Sequence, residues 1–558
     1  MEITYMSRKH WFIEDQPQSP TEFTVTRYLG EGNASDEWRK FEKRSVEVFL
    51  HTKSYDAFCK NECLCMFGHR GSGKTAILKM LEYEIKNNKI KDYAFARVID
   101  QEEAYNDLIT SITLTPLQNL PDSTFINNIK EKWIWILTVS AMDAVTKAVN
   151  ASVVPSADLN LIKDYLKSQD SLYVGEDVRP IRRLSKIISD ELENVNVWQL
   201  KGASVFARIL DKLFTPSYAN AETALFNILK KYNKKCLVMV DSLDAYDVRN
   251  NIVKLVSVAL MEAARDFHKR EFEKHIDIKV VFPSEVASYL LDSSPNSEKI
   301  VPHIIYIYWS YGDLVAIIAK RYYKLINKNK NIPVDLDTSK AAREFLYQHF
   351  PEKVLCTYNN IEFDTLSYVI LHTHKKPRQI IYLFNAILSC AYDENKNWYN
   401  IKEQCITSAI FMYVDALVTN TYRVYNRIYP NTRKIVERAL SGQPQIFDFS
   451  DVDPMIKKTK SVRGNLNSDE VKQLLIDCGA LGFEAKRYDL QKEKTIIEGK
   501  FQYQMTDSLP YENFCVIHPM YYHRLNIIKD RNILVYPRPS DKEEDESLCN
   551  ISIRKTHM

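Results

Sequence analysis

The segment Gly68–Thr75 has the residue types and the spacing that phosphate binding requires. It reads Gly-His-Arg-Gly-Ser-Gly-Lys-Thr, it follows the apolar run Cys63–Phe67, and helical spacing begins at Ala76. Glycine allows the backbone to curl until its N–H groups converge on phosphate oxygens. A helix that starts at the end of such a loop adds the positive end of its dipole. The sequence therefore predicts a strand, a phosphate-binding loop of the Walker A type and a helix, in that order.

Two side chains of this loop carry the chemistry that we expect. Lys74 would neutralise the β- and γ-phosphates of ATP and so take part in catalysis, and the Thr75 hydroxyl would bind Mg²⁺. The predicted nucleotide-binding residues are those of the loop and the first turn of the helix: Gly68, His69, Arg70, Gly71, Ser72, Gly73, Lys74, Thr75 and Ala76.

A second acidic position follows another apolar run. Cys236–Val240 has the continuous apolar pattern of a strand buried on both faces, and Asp241 comes directly after it. At the carboxyl edge of a parallel sheet, Asp241 would hold Mg²⁺ together with Thr75 and act in catalysis; the alternative is that it caps a loop. Of the two acids further along, we expect Asp244 to polarise the attacking water. The alternative is that both Asp244 and Asp247 are solvated or capping residues.

Further apolar runs predict the rest of an α/β P-loop NTPase core. Strands are expected at 94–100, 278–282 and 303–308, which gives a parallel sheet with helices on both faces. The stretch 101–232 is far too long for a loop and has helical periodicity. It predicts a helical insertion that contacts a partner, a neighbouring subunit or a target.

The chain as a whole divides by pattern into five parts. We expect an N-terminal segment over 1–60, the ATPase core over 61–325, a helical lid over 326–427, a winged-helix-like domain over 428–536 and a charged tail, expected to be disordered, over 537–558. In the winged-helix-like part, Asn467 and Ser468 are natural N-caps of a helix. The β-like runs that follow this helix lie at 483–488, 495–497 and 501–505.

The residues Val240-Asp-Ser-Leu-Asp244 resemble the end of the corresponding strand in the STAND class of signalling ATPases. These are similar to NACHT and NB-ARC switch proteins and are related to AAA+ initiators of the origin-recognition type. Many AAA+ ATPases carry Asp-Glu here, with the Glu as catalytic base, whereas in this chain Ser242 follows Asp241. The resemblance implies slow hydrolysis, with the nucleotide acting more as a switch than as fuel.

The same resemblance implies roles for residues at the lid and at a strand end. Pro377 and Arg378 begin a helix and resemble lid residues that contact adenine and the γ-phosphate; the alternative is an exposed basic helix start. Ser284 or Glu285 would contact the γ-phosphate from the end of its strand, or else cap a helix.

Three other residues are candidates on the basis of this resemblance. Arg265 and Arg270 are candidates for an arginine finger that reaches a neighbouring subunit. His518 resembles a winged-helix histidine that closes over the β-phosphate of ADP; the alternative is a buried structural histidine.

The composition limits the other functional classes to which the protein could belong. Lys and Arg total 75 against 72 for Asp and Glu, so a nucleic-acid site would have to be a local patch. The cluster Lys457, Lys458, Lys460 and Arg463 is one such patch or simply a solvated face.

The cysteines lie mostly in apolar runs, which is typical of reduced thiols, and we favour a structural over a metal-binding interpretation of Cys59, Cys63 and Cys65. The apolar run Trp133–Met142 is too short to cross a membrane, so we expect a cytoplasmic protein.

Together these patterns predict an ATP-binding and ATP-hydrolysing switch that uses Mg²⁺. We expect it to form a homo-oligomer and, because no second catalytic domain is visible, to regulate a separately encoded effector. Stand-alone ATPases of this shape resemble those of bacterial antiviral defence. One alternative is a DNA-binding initiator or loader that uses the winged-helix-like domain. Another is an assembly protein that binds ATP with little turnover, which Ser242 in place of Glu would allow.

Overall fold

A computed structural model describes most of the chain. The described residues are 27–30, 34–60, 62–100, 105–113, 121–148, 156–169, 172–174, 177–193, 202–241, 251–269, 275–356, 360–490, 494–505, 509–549 and 551–553. Asp244, Asp247 and Arg270 lie outside them. Among the helices in these ranges, none is long and apolar enough to span a membrane.

The first elements of the core surround the predicted phosphate-binding loop. They are α1 (Ala34–Val48), α2 (Lys53–Cys59), β1 (Cys65–Gly68), α3 (Lys74–Lys86) and β2 (Tyr93–Ile99). Every residue of β1 is buried, as an apolar strand inside a parallel sheet should be. The helix α3 begins immediately after Gly73, so the loop connects a strand to a helix N-terminus as predicted.

The described parts of the segment after β2 are mostly helical. Its helices and short hairpin are α4 (Tyr105–Thr113), α5 (Asp122–Ala148), α6 (Ser156–Ser168), β3 (Tyr173–Val174), β4 (Asp177–Val178), α7 (Pro180–Glu193), α8 (Gly202–Leu213) and α9 (Pro216–Tyr232). Every residue of α5 from Lys132 to Val145 is buried, because β2 and the helices α6 to α9 all pack against it. An ion pair between Arg97 of β2 and Asp143 of α5 joins this segment to the sheet.

The chain then returns to the central sheet. The elements are β5 (Lys235–Val240), α10 (Asn251–Lys269), β6 (Ile276–Pro283), α11 (Ala287–Ser293), α12 (Ser297–Ile300) and β7 (Ile304–Tyr306). The described strands lie in the order β2-β5-β6-β1-β7, and every adjacent pair is parallel. Since Gly68 pairs with Pro283, and Val240 with Val280, the carboxyl ends of β1, β5 and β6 lie at one edge of the sheet.

Both faces of this sheet are covered by helices. Along β5, Cys236 and Val238 face the core that α5 and α10 help to form. Leu237 and Met239 face the opposite core, which α3 helps to form. The predicted parallel sheet with helices on both faces is therefore confirmed.

Helices continue beyond the sheet. The elements are α13 (Tyr311–Ile326), α14 (Ser339–Tyr347), β8 (Lys353–Cys356), β9 (Ile361–Asp364), α15 (Thr365–Leu371), α16 (Pro377–Asn395) and α17 (Glu403–Tyr425). Ser310 and Asp313 form a capping box at the start of α13, which fixes where this part of the chain leaves the sheet. The predicted boundary at 325/326 falls at the end of α13, so the name lid is used below for the part of the chain from 311 to 425, in place of the predicted 326–427.

The C-terminal part combines helices with a second sheet. The elements are α18 (Thr432–Leu440), β10 (Ile446–Asp448), α19 (Val452–Lys457), α20 (Ser468–Asp477), β11 (Leu481–Leu490), β12 (Lys494–Lys500), β13 (Phe514–Ile517), β14 (Ile533–Pro537), α21 (Lys542–Cys549) and β15 (Ser552–Ile553). Asn467 caps α20 as predicted, in a capping box with Glu470. The strands β11 and β12 form an antiparallel hairpin within the sheet β10-β13-β11-β12-β14.

Two predictions for the C-terminal part are wrong. The run 501–505 was expected to be β-like, but 502–504 is a turn of 3₁₀-helix in which the Phe501 N–H bonds to the Gln504 side chain. The charged tail was expected to be disordered, but it contains α21. Glu544 of this helix is fully buried and forms an ion pair with Lys375 at 2.7 Å.

The lid and the C-terminal part share one apolar core. Val418 of α17, Val436 of α18 and Leu474 of α20 are all fully buried members of it. Because these side chains pack together without a solvated gap, the two parts of the chain form one continuous body beside the sheet.

Candidate functional site

The glycine loop between β1 and α3 adopts a conformation that depends on its glycines. Gly71 has φ of 86° and Gly73 has φ of 95°, values in the left-handed region that other residues rarely adopt. The tight turn is completed by a hydrogen bond from the Ser72 N–H to the His69 carbonyl at 3.0 Å. The predicted loop therefore forms at the carboxyl edge of the sheet, where parallel α/β proteins bind ligands.

The two predicted metal-binding side chains are in direct contact. The Thr75 hydroxyl donates a hydrogen bond to Asp241 Oδ2 at 2.7 Å. Asp241 is 1% exposed, and its N–H bonds to the Ile99 carbonyl at 2.8 Å, which fixes it at the end of β5. A hydroxyl and a carboxylate are oxygen ligands of the kind that Mg²⁺ prefers. These residues therefore fit a magnesium ion at the mouth of the loop.

Lys74 lies against the loop itself. Its ammonium group donates to the Gly68 carbonyl at 2.9 Å and to the His69 carbonyl at 3.5 Å. The residue is only 5% exposed. A lysine ammonium in this position can move a short distance to neutralise phosphates held by the loop.

A buried carboxylate approaches the loop from the end of β6. Glu285 Oε1 accepts a hydrogen bond from the Arg70 N–H at 3.3 Å and lies 3.2 Å from His69 Nδ1. Glu285 Oε2 is buried and has no hydrogen-bond partner among the described residues. Burial alone would raise the pKa of Glu285, but His69, Lys376 and Lys74 lower it well below its usual value. The 3₁₀ turn at 284–286 has no side-chain cap, so neither Ser284 nor Glu285 caps it, and contact of either residue with a γ-phosphate stays a prediction.

The start of α16 also touches the loop. Pro377 occupies the first turn of this helix, as predicted, and the Arg378 N–H lies 3.4 Å from the Gly71 carbonyl. The side chain of Arg378 is also close to the loop, because a Cβ added to Gly71 would lie only 3.3 Å from Arg378 Cβ. The structure thus brings Arg378 to the loop.

Lys376 is a further cation here that sequence reasoning did not single out. It is 9% exposed. Burial lowers its pKa to about 8; Glu285 opposes that shift, while Lys74 and Arg378 add to it. In the sequence, Lys376 stands in the run Lys375-Lys-Pro-Arg378, and this local pattern does not indicate that the side chain is buried.

His518 lies inside the C-terminal part. It is fully buried, and its Nδ1 accepts from the Met520 N–H at 3.1 Å. Its Nε2 lies 2.9 Å from the Tyr503 hydroxyl. Burial, together with His372 and Lys375, lowers the pKa of His518 well below its usual value. Both ring nitrogens are therefore engaged in a neutral ring, which supports the structural interpretation of His518.

Of the two arginine-finger candidates, Arg265 is described. It is 9% exposed and makes ion pairs with Glu262 at 2.8 Å and with Asp266 at 3.0 Å. These pairs are within its own helix, so Arg265 does not extend toward a neighbouring chain in this conformation.

The three clustered cysteines lie together near β1. Cys63 and Cys65 are buried and Cys59 is half-buried, all as free thiols. Burial raises the pKa of Cys59 and Cys63 to about 11 in each case. The structural interpretation of these cysteines stays a prediction.

The parallel sheet, the glycine loop and the contact between Thr75 and Asp241 define an α/β P-loop NTPase core. No protein-family model matches the chain, and no curated protein matches its sequence.

Solved structures give only distant matches. The Walker-type ATPase PABY2304 of Pyrococcus abyssi matches with a TM-score of 0.33 and 10% identity, over 83% of this chain and 95% of that one. The Aeropyrum pernix ORC1 protein, solved in complex with DNA, matches with 0.32 and 10%, over 82% and 90%. The ORC2 protein of the same organism matches with 0.28 and 10%, over 88% and 93%. TM-scores this low make the three likenesses too weak to support an argument about function.

Proposed function

We propose that the chain is a switch that binds ATP and Mg²⁺ and hydrolyses ATP. The observation that carries this proposal is the 2.7 Å hydrogen bond between Thr75 and Asp241, beside the buried Lys74. A glycine-rich loop, a lysine, a hydroxyl and an acid at the end of a nearby strand are the groups that phosphoryl transfer uses.

Each group has a separate task in this proposal. The bound metal would neutralise charge on the phosphates. Thr75 and Asp241 would hold it, and Lys74 would contact the β- and γ-phosphates. Asp244 remains our candidate for polarising the attacking water. Because Ser242 stands where a base would follow Asp241, we expect slow turnover.

The lid supports a switch rather than an isolated ATPase. Arg378 meets the loop at Gly71, and the lid shares its core with the C-terminal part. A nucleotide that shifts the loop would therefore bias the position of both parts. We propose that this change governs assembly of the chain with itself and with a separately encoded effector in the cytoplasm, as in the antiviral ATPases that the sequence resembles.

A DNA-binding initiator is the second candidate, and the basic cluster favours it. Lys457, Lys458 and Lys460 are exposed, and Arg463 donates to the Ser468 hydroxyl at 2.9 Å, at the start of α20. The cluster therefore lies next to the helix that a winged-helix-like domain would place on DNA. The first turn of α20 is acidic, however, with Asp469 and Glu470, which would repel phosphates.

ATP turnover of the wild type and of Lys74→Ala, with and without double-stranded DNA, tests the proposal. We expect slow turnover that DNA does not change, ADP retained after purification, and at least a tenfold loss in Lys74→Ala. Stimulation by DNA that disappears when Lys457, Lys458 and Lys460 are replaced by alanine would favour the initiator. Tight ATP binding without turnover would favour the assembly protein, and ATP turnover that survives in Lys74→Ala would contradict all three.

A further inference from the structure

A cavity of about 260 Å³ lies where the glycine loop, the lid and the C-terminal sheet meet. The loop contributes Ser72, the chain after β7 contributes Trp309, and the lid contributes Lys376. The C-terminal part contributes Lys500 and Arg538. Four separate parts of the chain therefore build one cavity.

The charges around this cavity are of one sign. Lys376, Lys500 and Arg538 line it, and among the described residues no carboxylate does. Lys375 also lines it but is paired with Glu544 at 2.7 Å. For the ammonium groups of Lys376 and Lys500 and the guanidinium of Arg538, the described residues supply no hydrogen bond or ion pair. The carboxylate of Glu285 acts on Lys376, but Glu285 does not line the cavity. Cations that line a cavity without a carboxylate among them repel one another, so the cavity favours an anion.

The cavity is on the outer side of the glycine loop. Trp309 Nε1 donates to the Ser72 carbonyl at 2.8 Å, and the Arg378 N–H lies 3.4 Å from the Gly71 carbonyl. The residues proposed to hold the phosphates and the metal, Lys74, Thr75 and Asp241, do not line the cavity. The cavity is therefore distinct from the position that the phosphates of ATP would take.

Its walls also carry aromatic rings. Trp309, Tyr503 and His374 line the cavity, and the rings of His374 and Tyr503 are stacked with centroids 4.6 Å apart. Aromatic faces bind planar rings, and Lys and Arg bind phosphate. The volume suits a small molecule rather than a polymer.

We propose that this cavity binds a small phosphate-bearing molecule, with its phosphate between Lys376, Lys500 and Arg538. Such a ligand would touch the glycine loop, the lid and the C-terminal part at once and hold them in the arrangement that this structure has. It would thus be an effector that acts on the P-loop from outside.

Calorimetric titration of the full-length Lys74→Ala chain tests the site, because this change weakens nucleotide binding in the P-loop alone. The probes are inorganic phosphate and AMP. We expect about one binding site per chain for either probe. Combining Lys500→Ala with Arg538→Ala should weaken binding at least tenfold, whereas Lys486→Ala, a cation of the same sheet outside the cavity, should leave binding unchanged.

The same experiment distinguishes two kinds of ligand, a nucleotide and a free phosphate. Tighter binding of AMP than of phosphate would assign a nucleotide-like ligand that also uses the aromatic walls, and equal binding would assign a free phosphate group. Arg538→Lys alone keeps the positive charge and should therefore keep most of the affinity of the Lys74→Ala chain. This variant distinguishes loss of charge from loss of fold. No binding to Lys74→Ala, or equal binding with and without Lys500 and Arg538, would overturn the proposal. Neither result depends on ATP turnover, so the function proposed for the P-loop stands or fails separately.

Discussion

Glu285 is an unexpected charge beside a loop that we propose to bind a polyanion. It is buried, it touches Arg70 and His69, and the cations Lys376 and Lys74 act on it. A terminal phosphate placed near Lys74 would compete with this carboxylate for the same positive charges. Glu285 would therefore lower the affinity for ATP more than that for ADP.

Replacing Glu285 with glutamine removes this competing charge and keeps the shape of the side chain. We expect ATP to bind about fivefold more tightly (~1 kcal/mol) and ADP to change less. Calorimetric titration of both nucleotides measures the difference, with Glu298→Gln, an exposed acid on α12, as the matched control. Weaker ATP binding in Glu285→Gln would instead mean that the carboxylate assists the nucleotide.

At this scale, the sequence predicts residues whose role is set by local pattern. The spacing of the loop identifies Lys74 and Thr75, and the position after an apolar strand identifies Asp241; the contact between Thr75 and Asp241 agrees with that prediction. Glu285 stayed open between two roles, and Lys376 was not singled out. Their environment depends on segments distant in sequence that fold against the loop, which no local pattern encodes.

Among the elements, the C-terminal helix α21 carries a buried carboxylate, Glu544. Glu544 accepts from the Lys375 ammonium at 2.7 Å, from the Ser540 hydroxyl at 2.7 Å and from the Tyr536 hydroxyl at 3.1 Å. Lys375 belongs to the lid, so this carboxylate helps to join α21 to the segment that reaches the glycine loop, together with the hydrogen bond between the Ser547 and Ser367 hydroxyls at 2.6 Å.

Glu544→Ala should destabilise the lid and the C-terminal part. It leaves the Lys375 ammonium buried without its carboxylate, and breaking a buried ion pair in this way costs about 3 kcal/mol. Urea denaturation followed by tryptophan fluorescence measures the loss. Glu546→Ala, an exposed acid on the same helix, should change stability by less than about 0.5 kcal/mol. Equal effects of the two substitutions would contradict a structural role for the pair.

The same helix shows why the prediction of a disordered tail was wrong. A run of charges such as 541–546 is typical of solvated or disordered chain. Glu544 is an exception because its counter-charge, Lys375, lies in a different part of the chain. The helices α16 and α20, by contrast, were predictable from Pro377 and from the Asn467 cap, which act on their own first turns.

For the whole molecule, the central feature is that one body covers the loop. The lid and the C-terminal part share an apolar core, and this body meets the loop through Arg378 at Gly71. A packed interface of this kind shifts between discrete arrangements and does not deform continuously. Occupancy of the loop would therefore be transmitted to the surface of the C-terminal part.

The claim on which the rest depends is that Thr75 and Asp241 together hold Mg²⁺ at a bound nucleotide. Calorimetric titration of ATP with Mg²⁺ and with EDTA tests it directly, using the wild type, Thr75→Ala, Thr75→Ser and Asp241→Asn. We predict that Mg²⁺ tightens ATP binding at least tenfold in the wild type and in Thr75→Ser, which keeps the hydroxyl. Thr75→Ala and Asp241→Asn should lose most of this gain. ATP binding that is equally tight with Mg²⁺ and with EDTA in the wild type, or a gain that survives in both Thr75→Ala and Asp241→Asn, would contradict the account.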